Sequence, residues 1–312
     1  MGETFGKFEK YAEIFHAVPT PAYVVMEEFL RRNLAVLRDL QQETGAHVLL
    51  AQKAFSMFHF YPLIAEYLAG AAASGLFEAR LAYEEMKGKE NHVFSPAFKE
   101  ADMAEIVKIA DHIVFNSFAQ WERFGAAARA AGASCGIRIN PERSTQKHAI
   151  YDPCAPNSRL GVKIADFRAD LLDGLDGLHF HTLCEQGADA LAATLEAVEA
   201  KFGTYLHGMK WLNFGGGHHI TREDYDIPLL KKLIRHVQET YDVAVYLEPG
   251  EAVALNAGFL VAKVLDVQAD GNVILNTSAA CHMPDVIEMP YRPPVIGAGE
   301  PGEKAHTYTL AG

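Results

Sequence analysis

The chain has 312 residues, 49% of them hydrophobic, and a formal net charge of −12. That length allows one large α/β domain plus a smaller second one, with a sizeable core. The acidic balance argues against a nucleic-acid surface and favours encounter with cations, polyamines included.

No apolar run approaches the roughly 20 residues of a bilayer span. The N-terminus, with Phe5, Lys7, Phe8, Glu9 and Lys10, lacks the continuous apolar stretch of a secretory signal, so the cytoplasm is the expected location. Cys135, Cys154, Cys184 and Cys281 are scattered without a CxxC pair, which suits reduced thiols better than a disulfide framework or a zinc site.

In chain order, Leu30, Leu34, Leu37 and Leu40 recur at helical spacing, and Gly45 supplies a stop. His47–Lys53 then reads as a buried strand, and Ser56 is a candidate cap for a helix carrying Leu63, Ile64 and Leu68. Further strands are expected near Gly70–Ala73, His92–Phe94, His112–Phe115, Gly136–Asn140, Gly177–His181, Lys210–Phe214 and Ala244–Glu248. Eight strands alternating with helical stretches imply a closed parallel (β/α)8 TIM-like barrel over residues 27–255. After Gly250 the pattern changes. Phe259–Val267 and Asn272–Asn276 read as strands around the Asp270-Gly271 turn, and Met289–Gly302 is rich in Pro and Gly. Residues 1–26 and 256–312 are therefore expected to form a smaller, incomplete β domain, with Ala22–Val25 contributing a strand.

In such a barrel, chemistry sits at the C-terminal ends of the strands. Lys53 closes the first strand, Arg138 lies near the end of the fifth, and His181 closes the sixth. Gly215-Gly216-Gly217 follows the seventh, and Glu248-Pro249-Gly250 follows the eighth. A lysine after Val48-Leu49-Leu50-Ala51 would have its amine desolvated, freeing the lone pair for a Schiff base, although a strand-end lysine also snorkels to solvent. Three successive glycines let backbone N–H groups approach a phosphate, although a glycine run alone also makes a simple turn. Glu248 follows an apolar strand, so it needs a buried partner; a protonated pyridine nitrogen would be one. His181 would serve as a core histidine or stack on a planar ring. Each signal is modest, and their joint placement carries the reading.

These residues resemble the fold-type III, alanine-racemase-like pyridoxal-phosphate decarboxylases, the group that includes ornithine and diaminopimelate decarboxylases, and within it the carboxynorspermidine (carboxyspermidine) decarboxylases. The resemblance runs from Pro19 to the end. It rests on LLAQKAFS (49–56), SGLFEARLA (74–82), SRLGVK (158–163), GLHFHTLCEQ (177–186), LNFGGGHH (212–219), LEPGEAV (247–253) and NTSAACHMPDVIEMPYRP (276–293). It implies that Lys53 carries the cofactor, His181 stacks on its ring, Gly216 and Gly217 hold its phosphate with Gly215, and Glu248 pairs with the ring nitrogen. Arg138 joins this cofactor-binding set. Cys184 stands where many relatives have a phosphate-contacting serine. Glu251 stands where other family decarboxylases carry an arginine, and with Asp285 it is the candidate reader of a substrate's ammonium groups.

The resemblance implies decarboxylation of carboxynorspermidine or carboxyspermidine to the free triamine, in polyamine biosynthesis. A basic amino acid such as diaminopimelate or ornithine is the alternative substrate. Family decarboxylases are homodimers with active sites at the subunit boundary, completed by a cysteine and an aspartate of the partner's C-terminal segment. Such a segment would lie beyond Gly312. The chain as it stands is thus expected to bind cofactor and decarboxylate poorly, which keeps a non-catalytic cofactor-binding barrel as another alternative. A metal-dependent barrel hydrolase using His179, His181, His218 and His219 is disfavoured, because His179 and His181 would alternate across a regular strand.

Overall fold

The computed structural model describes residues 11–146, 148–300 and 302–312. Thirteen strands occur among them: β1 (Ala22–Val25), β2 (His47–Ala51), β3 (Gly70–Ala73), β4 (Glu90–Phe94), β5 (His112–Phe115), β6 (Ser134–Arg138), β7 (Gly177–His179), β8 (Trp211–Asn213), β9 (Ala244–Leu247), β10 (Gly258–Val261), β11 (Val264–Val267), β12 (Asn272–Leu275) and β13 (Thr309–Ala311). Strands β2 to β9 form a closed parallel barrel in sequence order, sealed where His47 and Val48 pair with Tyr246 and Leu247. The expected (β/α)8 architecture is borne out.

Local chemistry explains the outer helices. The Glu27–Thr44 helix buries Leu30, Leu34, Leu37 and Leu40 on one face. It ends at Gly45, whose φ of +71° is open to glycine without strain and whose N–H closes on the carbonyl of Gln41 at 2.7 Å. Helix Ile227–Tyr241 starts under a side-chain cap, Asp226 accepting from the N–H of Leu229 at 2.9 Å. Barrel closure makes these two helices neighbours: Lys231 reaches Glu43 at 2.7 Å, and Gln238 donates to the Thr44 carbonyl at 3.0 Å. Inside the barrel, Leu49, Val114, Trp211 and Tyr246 pack into one cluster.

Ser56 does not cap a helix. A 3-10 turn at Phe58–Phe60 leads into Tyr61–Ala65, where Pro62 sits in the first turn and fixes the start at Tyr61. The stretch Phe259–Val267 is two strands rather than one: β10 pairs antiparallel with β1, and β11 pairs antiparallel with β12. β13 adds parallel to β12. Short helices occupy Ala279–His282 and Asp285–Glu288. By compactness, Glu28–Leu255 forms one unit and the described residues of Met1–Glu27 with Asn256–Gly312 form another. Among the described residues, no helix is long and apolar enough to cross a membrane.

Candidate active site

The polar residues picked out in the sequence follow the C-terminal ends of the barrel strands. Lys53 lies two residues past β2 in a turn. The turn is pinned by its neighbour Gln52, whose N–H donates to Ala72 at 3.1 Å and whose Oε1 accepts from the Tyr61 hydroxyl at 3.1 Å. Lys53 remains accessible, yet the protein packed around its amine lowers its pKa from the ordinary lysine value. Glu248 opposes that shift, and Arg138 reinforces it. A shift in this direction enlarges the fraction of amine carrying a lone pair.

Glu248 follows β9 with its side chain 12% exposed. Its Oε1 accepts from Asn213 Nδ2 at 2.8 Å, and its Oε2 lies 3.5 Å from His179 Nε2. Burial alone would push this carboxyl up; His179 and His181 outweigh it and hold the group well below the usual carboxylate range. The anion therefore persists in a nearly enclosed position.

The glycine run is bound into the same network. Gly215 N–H donates to Asn213 Oδ1 at 2.8 Å, Glu248 N–H donates to the Gly215 carbonyl at 2.8 Å, and Gly216 N–H donates to His181 Nδ1 at 3.2 Å. That last bond leaves any proton of a neutral His181 on Nε2. Burial, with Lys53 and Arg138 nearby, lowers the His181 pKa well below its ordinary value.

No side chain fits along this run. A Cβ on Gly216 would stand 2.7 Å from the Glu248 carbonyl, and one on Gly217 would meet the Leu183 carbonyl and, at 2.8 Å, the Cys184 nitrogen. Gly215 and Gly217 also have φ of +70° and +81°. Arg138, the last residue of β6, donates to the His181 carbonyl at 3.0 Å and lies 4.6 Å from the Phe94 ring centre. Burial lowers its pKa to about 10, so it stays protonated at neutral pH.

Lys53, Arg138, His181, Gly215–Gly217 and Glu248 thus gather at one mouth, with Cys184 on the loop against Gly217. The donor set fits pyridoxal phosphate. A side-chain-free glycine run suits a phosphate, an anionic carboxylate suits a protonated ring nitrogen, and a lysine with lowered pKa suits an aldehyde. Glu251 begins a short helix after β9, half-exposed, with Oε1 3.3 Å from His219 Nε2. Asp285 is exposed at the start of its own short helix, in the other compact unit.

Two residues escaped the sequence reading. His179 and His181 were expected on opposite faces of a strand, but β7 stops at His179, so the alternation lapses and both histidines reach Glu248's surroundings. Asn213 carried no signal beyond its place two residues before the glycines.

A second polar cluster lies at the opposite, N-terminal end of the barrel. Glu90 Oε2 lies 2.8 Å from His92 Nε2, and Glu90 Oε1 lies 3.5 Å from His47 Nδ1. Glu90, His92 and His112 stand close enough to be considered as metal ligands. However, the His92 and His112 rings are stacked at 3.9 Å and 14°, so one ion cannot lie in the plane of both. The arrangement is a hydrogen-bonded stack.

Comparison with known proteins gives the following. No family model matches the chain. The carboxynorspermidine/carboxyspermidine decarboxylase of Campylobacter jejuni is 45% identical over 286 residues, covering 91% of this chain and 74% of that protein. The carboxyaminopropylagmatine decarboxylase of Synechocystis is 41% identical over 300 residues, covering 95% and 77%. Among solved structures, carboxynorspermidine decarboxylase complexed with norspermidine, from Campylobacter jejuni, superposes with a TM-score of 0.82 at 45% identity, covering 88% of this chain and 72% of that one.

Proposed function

The chain belongs to the carboxynorspermidine/carboxyspermidine decarboxylase family, and from that premise we propose that it is a pyridoxal-phosphate-dependent enzyme releasing carbon dioxide from a carboxylated triamine. The observation that carries the reading is the convergence of Lys53, Glu248 and the Gly215–Gly217 run at one barrel mouth. When bound, the cofactor supplies an electron sink for the pair left behind as the substrate's carboxylate departs.

The chain's own residues then have distinct tasks. Lys53 would hold the cofactor through its aldehyde group, its lowered pKa leaving the amine a free lone pair. Glu248, held anionic, keeps a proton on the ring nitrogen. His181 covers the ring, and the glycine run, with Cys184 beside it, receives the phosphate. Arg138 braces the His181 loop through its carbonyl. Glu251 is the acid assigned to a substrate ammonium group, because it stands in place of the arginine of other family decarboxylases. We assign the enzyme to the cytoplasm and to a homodimer, which size-exclusion chromatography with light scattering checks.

Carboxynorspermidine and carboxyspermidine are the proposed substrates. Carboxyaminopropylagmatine, which ends in a guanidinium instead of an ammonium, is a second reading favoured by the 41% identity to the Synechocystis enzyme. The cofactor-loaded protein should absorb in the visible, and borohydride should fix the cofactor to the Lys53 peptide. Mass spectrometry after incubation with the three carboxylated polyamines, ornithine and diaminopimelate should find a decarboxylated polyamine. Label on another lysine, or turnover of ornithine or diaminopimelate alone, would overturn the proposal.

A further inference from the structure

We infer that Asn213 is a positioning residue that locks the carboxylate of Glu248 to the glycine run, so that the two ends of the cofactor cradle are held by one side-chain amide. The inference rests on the proposed cofactor reading, but its structural content lies in this chain's own hydrogen bonds.

Asn213 ends β8, and only 1% of it is exposed. Its orientation is forced. A backbone N–H can only donate, so the atom facing Gly215 N–H at 2.8 Å must be Oδ1, and Nδ2 then faces Glu248 Oε1 at 2.8 Å. A buried amide with both ends satisfied cannot flip without abandoning two hydrogen bonds. The bond from Glu248 N–H to the Gly215 carbonyl closes a second link between the same two residues. Gly215 and Glu248, 33 positions apart in sequence, are thereby joined through backbone and side chain together.

The donor end has an electrostatic consequence. Asn213 offers Glu248 a neutral N–H, which favours the ionised carboxylate without adding a charge that would compete with a cationic ring nitrogen. The other titratable or charged groups around Glu248 are His179 and His181 from β7 and its loop, His218 just after the glycine run, Arg138 from β6, Lys53 from the turn after β2 and His92 from β4. His179 is the nearest of these in the structure's contacts, but its 3.5 Å approach to Oε2 is longer than a normal hydrogen bond, and neither of its ring nitrogens has a hydrogen-bond partner. Asn213 is therefore the group that fixes where the carboxylate points.

Aspartate at this position separates the two functions. Asn213→Asp keeps an acceptor for Gly215 N–H but replaces the donor facing Glu248 with a second carboxylate, so the pair must share a proton. Asn213→Asp combined with Glu248→Gln restores an amide-to-carboxylate bond with its polarity reversed.

The experiment measures cofactor affinity by titrating the cofactor-free protein, and the pH dependence of the bound cofactor's visible spectrum, for the wild type and these two variants. The wild-type spectrum is expected to hold constant on the acid side down to the limit of folding. Asn213→Asp should bind with Kd raised by about tenfold, the order of one hydrogen bond to a charged group. Its spectrum should acquire a new transition between about pH 5 and 7, where a shared proton is lost. The double variant should regain affinity and lose that transition, while remaining inactive for want of the carboxylate. If Asn213→Asp does not fold, recovery of folding and cofactor binding in the double variant still supports the lock.

A wild-type protein that binds no pyridoxal phosphate sinks the cofactor reading itself. A wild type that binds it, beside an Asn213→Asp variant with unchanged Kd and no new transition, sinks the positioning role and leaves the cofactor reading intact. A double variant no better than Asn213→Asp alone would also count against the lock.

Discussion

The two ends of the barrel are built from the same residue types and arranged for different ends. At the N-terminal end, Glu90 is flanked by His92 on one oxygen and His47 on the other. His92 stacks on His112, His47 stacks on Tyr246, and Trp211 leans on His112 at 5.2 Å. At the C-terminal end, Glu248 has one donor on Oε1 and a loosely placed His179 beside Oε2, with an accessible lysine nearby. Both carboxyls are held well below the usual range against burial, chiefly by histidines. Perturbed ionisation therefore does not distinguish a reactive site from a structural one in this molecule. What distinguishes them is the company of the anion: an accessible lysine and a side-chain-free glycine run stand by Glu248, whereas Glu90 is held between histidines.

The largest contrast expected from this comparison lies in the two glutamates. Glu248→Gln should bind cofactor yet lose about a thousandfold in kcat, roughly 4 kcal/mol of transition-state stabilisation. Glu90→Gln should leave kcat within about twofold, and should lower unfolding free energy by about 1–2 kcal/mol through its broken hydrogen bonds. Steady-state kinetics and urea denaturation of both variants check the pair. A Glu90→Gln enzyme as inactive as Glu248→Gln would mean that the two ends are not functionally separate.

Glu251 lies between these cases, half-exposed and with a single histidine contact. As a reader of a substrate ammonium it would act on binding, so Glu251→Gln should raise KM for the triamine about tenfold, near 1.4 kcal/mol, with kcat nearly unchanged. A fall in kcat at constant KM would place Glu251 with Glu248 in the chemistry and remove it from substrate selection.

The barrel was legible because residues 48–51 and 113–115 and β9 are continuous apolar runs, and because Lys53 and Glu248 follow β2 and β9 while the glycine run follows β8. The Lys53, Gly215–Gly217 and Glu248 positions came from that pattern. Asn213 and His179 did not, because their significance depends on cross-strand neighbours: Arg138 beside His179, and His179 beside Asn213. A one-dimensional pattern does not report which side chains meet across a staggered barrel. The N-terminal cluster was invisible for the same reason, since His47, Glu90 and His112 each begin a different strand. The break inside Phe259–Val267 was hidden too, because apolar character persists across the point where the chain changes sheets.

The smallest effect expected is on acid stability, and it isolates the N-terminal cluster. Burial, aided by neighbouring His92, pushes the His112 pKa down to about 3, from an ordinary value of 6.5. Its Nδ1 is buried without a hydrogen-bond partner. The folded state therefore keeps His112 neutral where the unfolded chain would protonate it. Its stabilising contribution is complete above about pH 6.5 and is lost as pH falls toward about 3. Glu90 and Glu248 have depressed values too, but an unfolded carboxyl takes up its proton only near and below pH 4.5, so the interval from about pH 5 to 6.5 belongs to the histidines. His112 shares that interval with His179, His181 and His218, all of which have lowered values. His112→Phe preserves a ring for the stack and removes one titrating group. The slope of unfolding free energy against pH should then fall by up to about 1.4 kcal/mol per pH unit, the value for one proton, without disappearing. Urea denaturation at half-unit pH steps measures it. An unchanged slope would show that His112 is protonated in the folded protein as readily as in the unfolded chain, and that the stack beneath the barrel tolerates a charge.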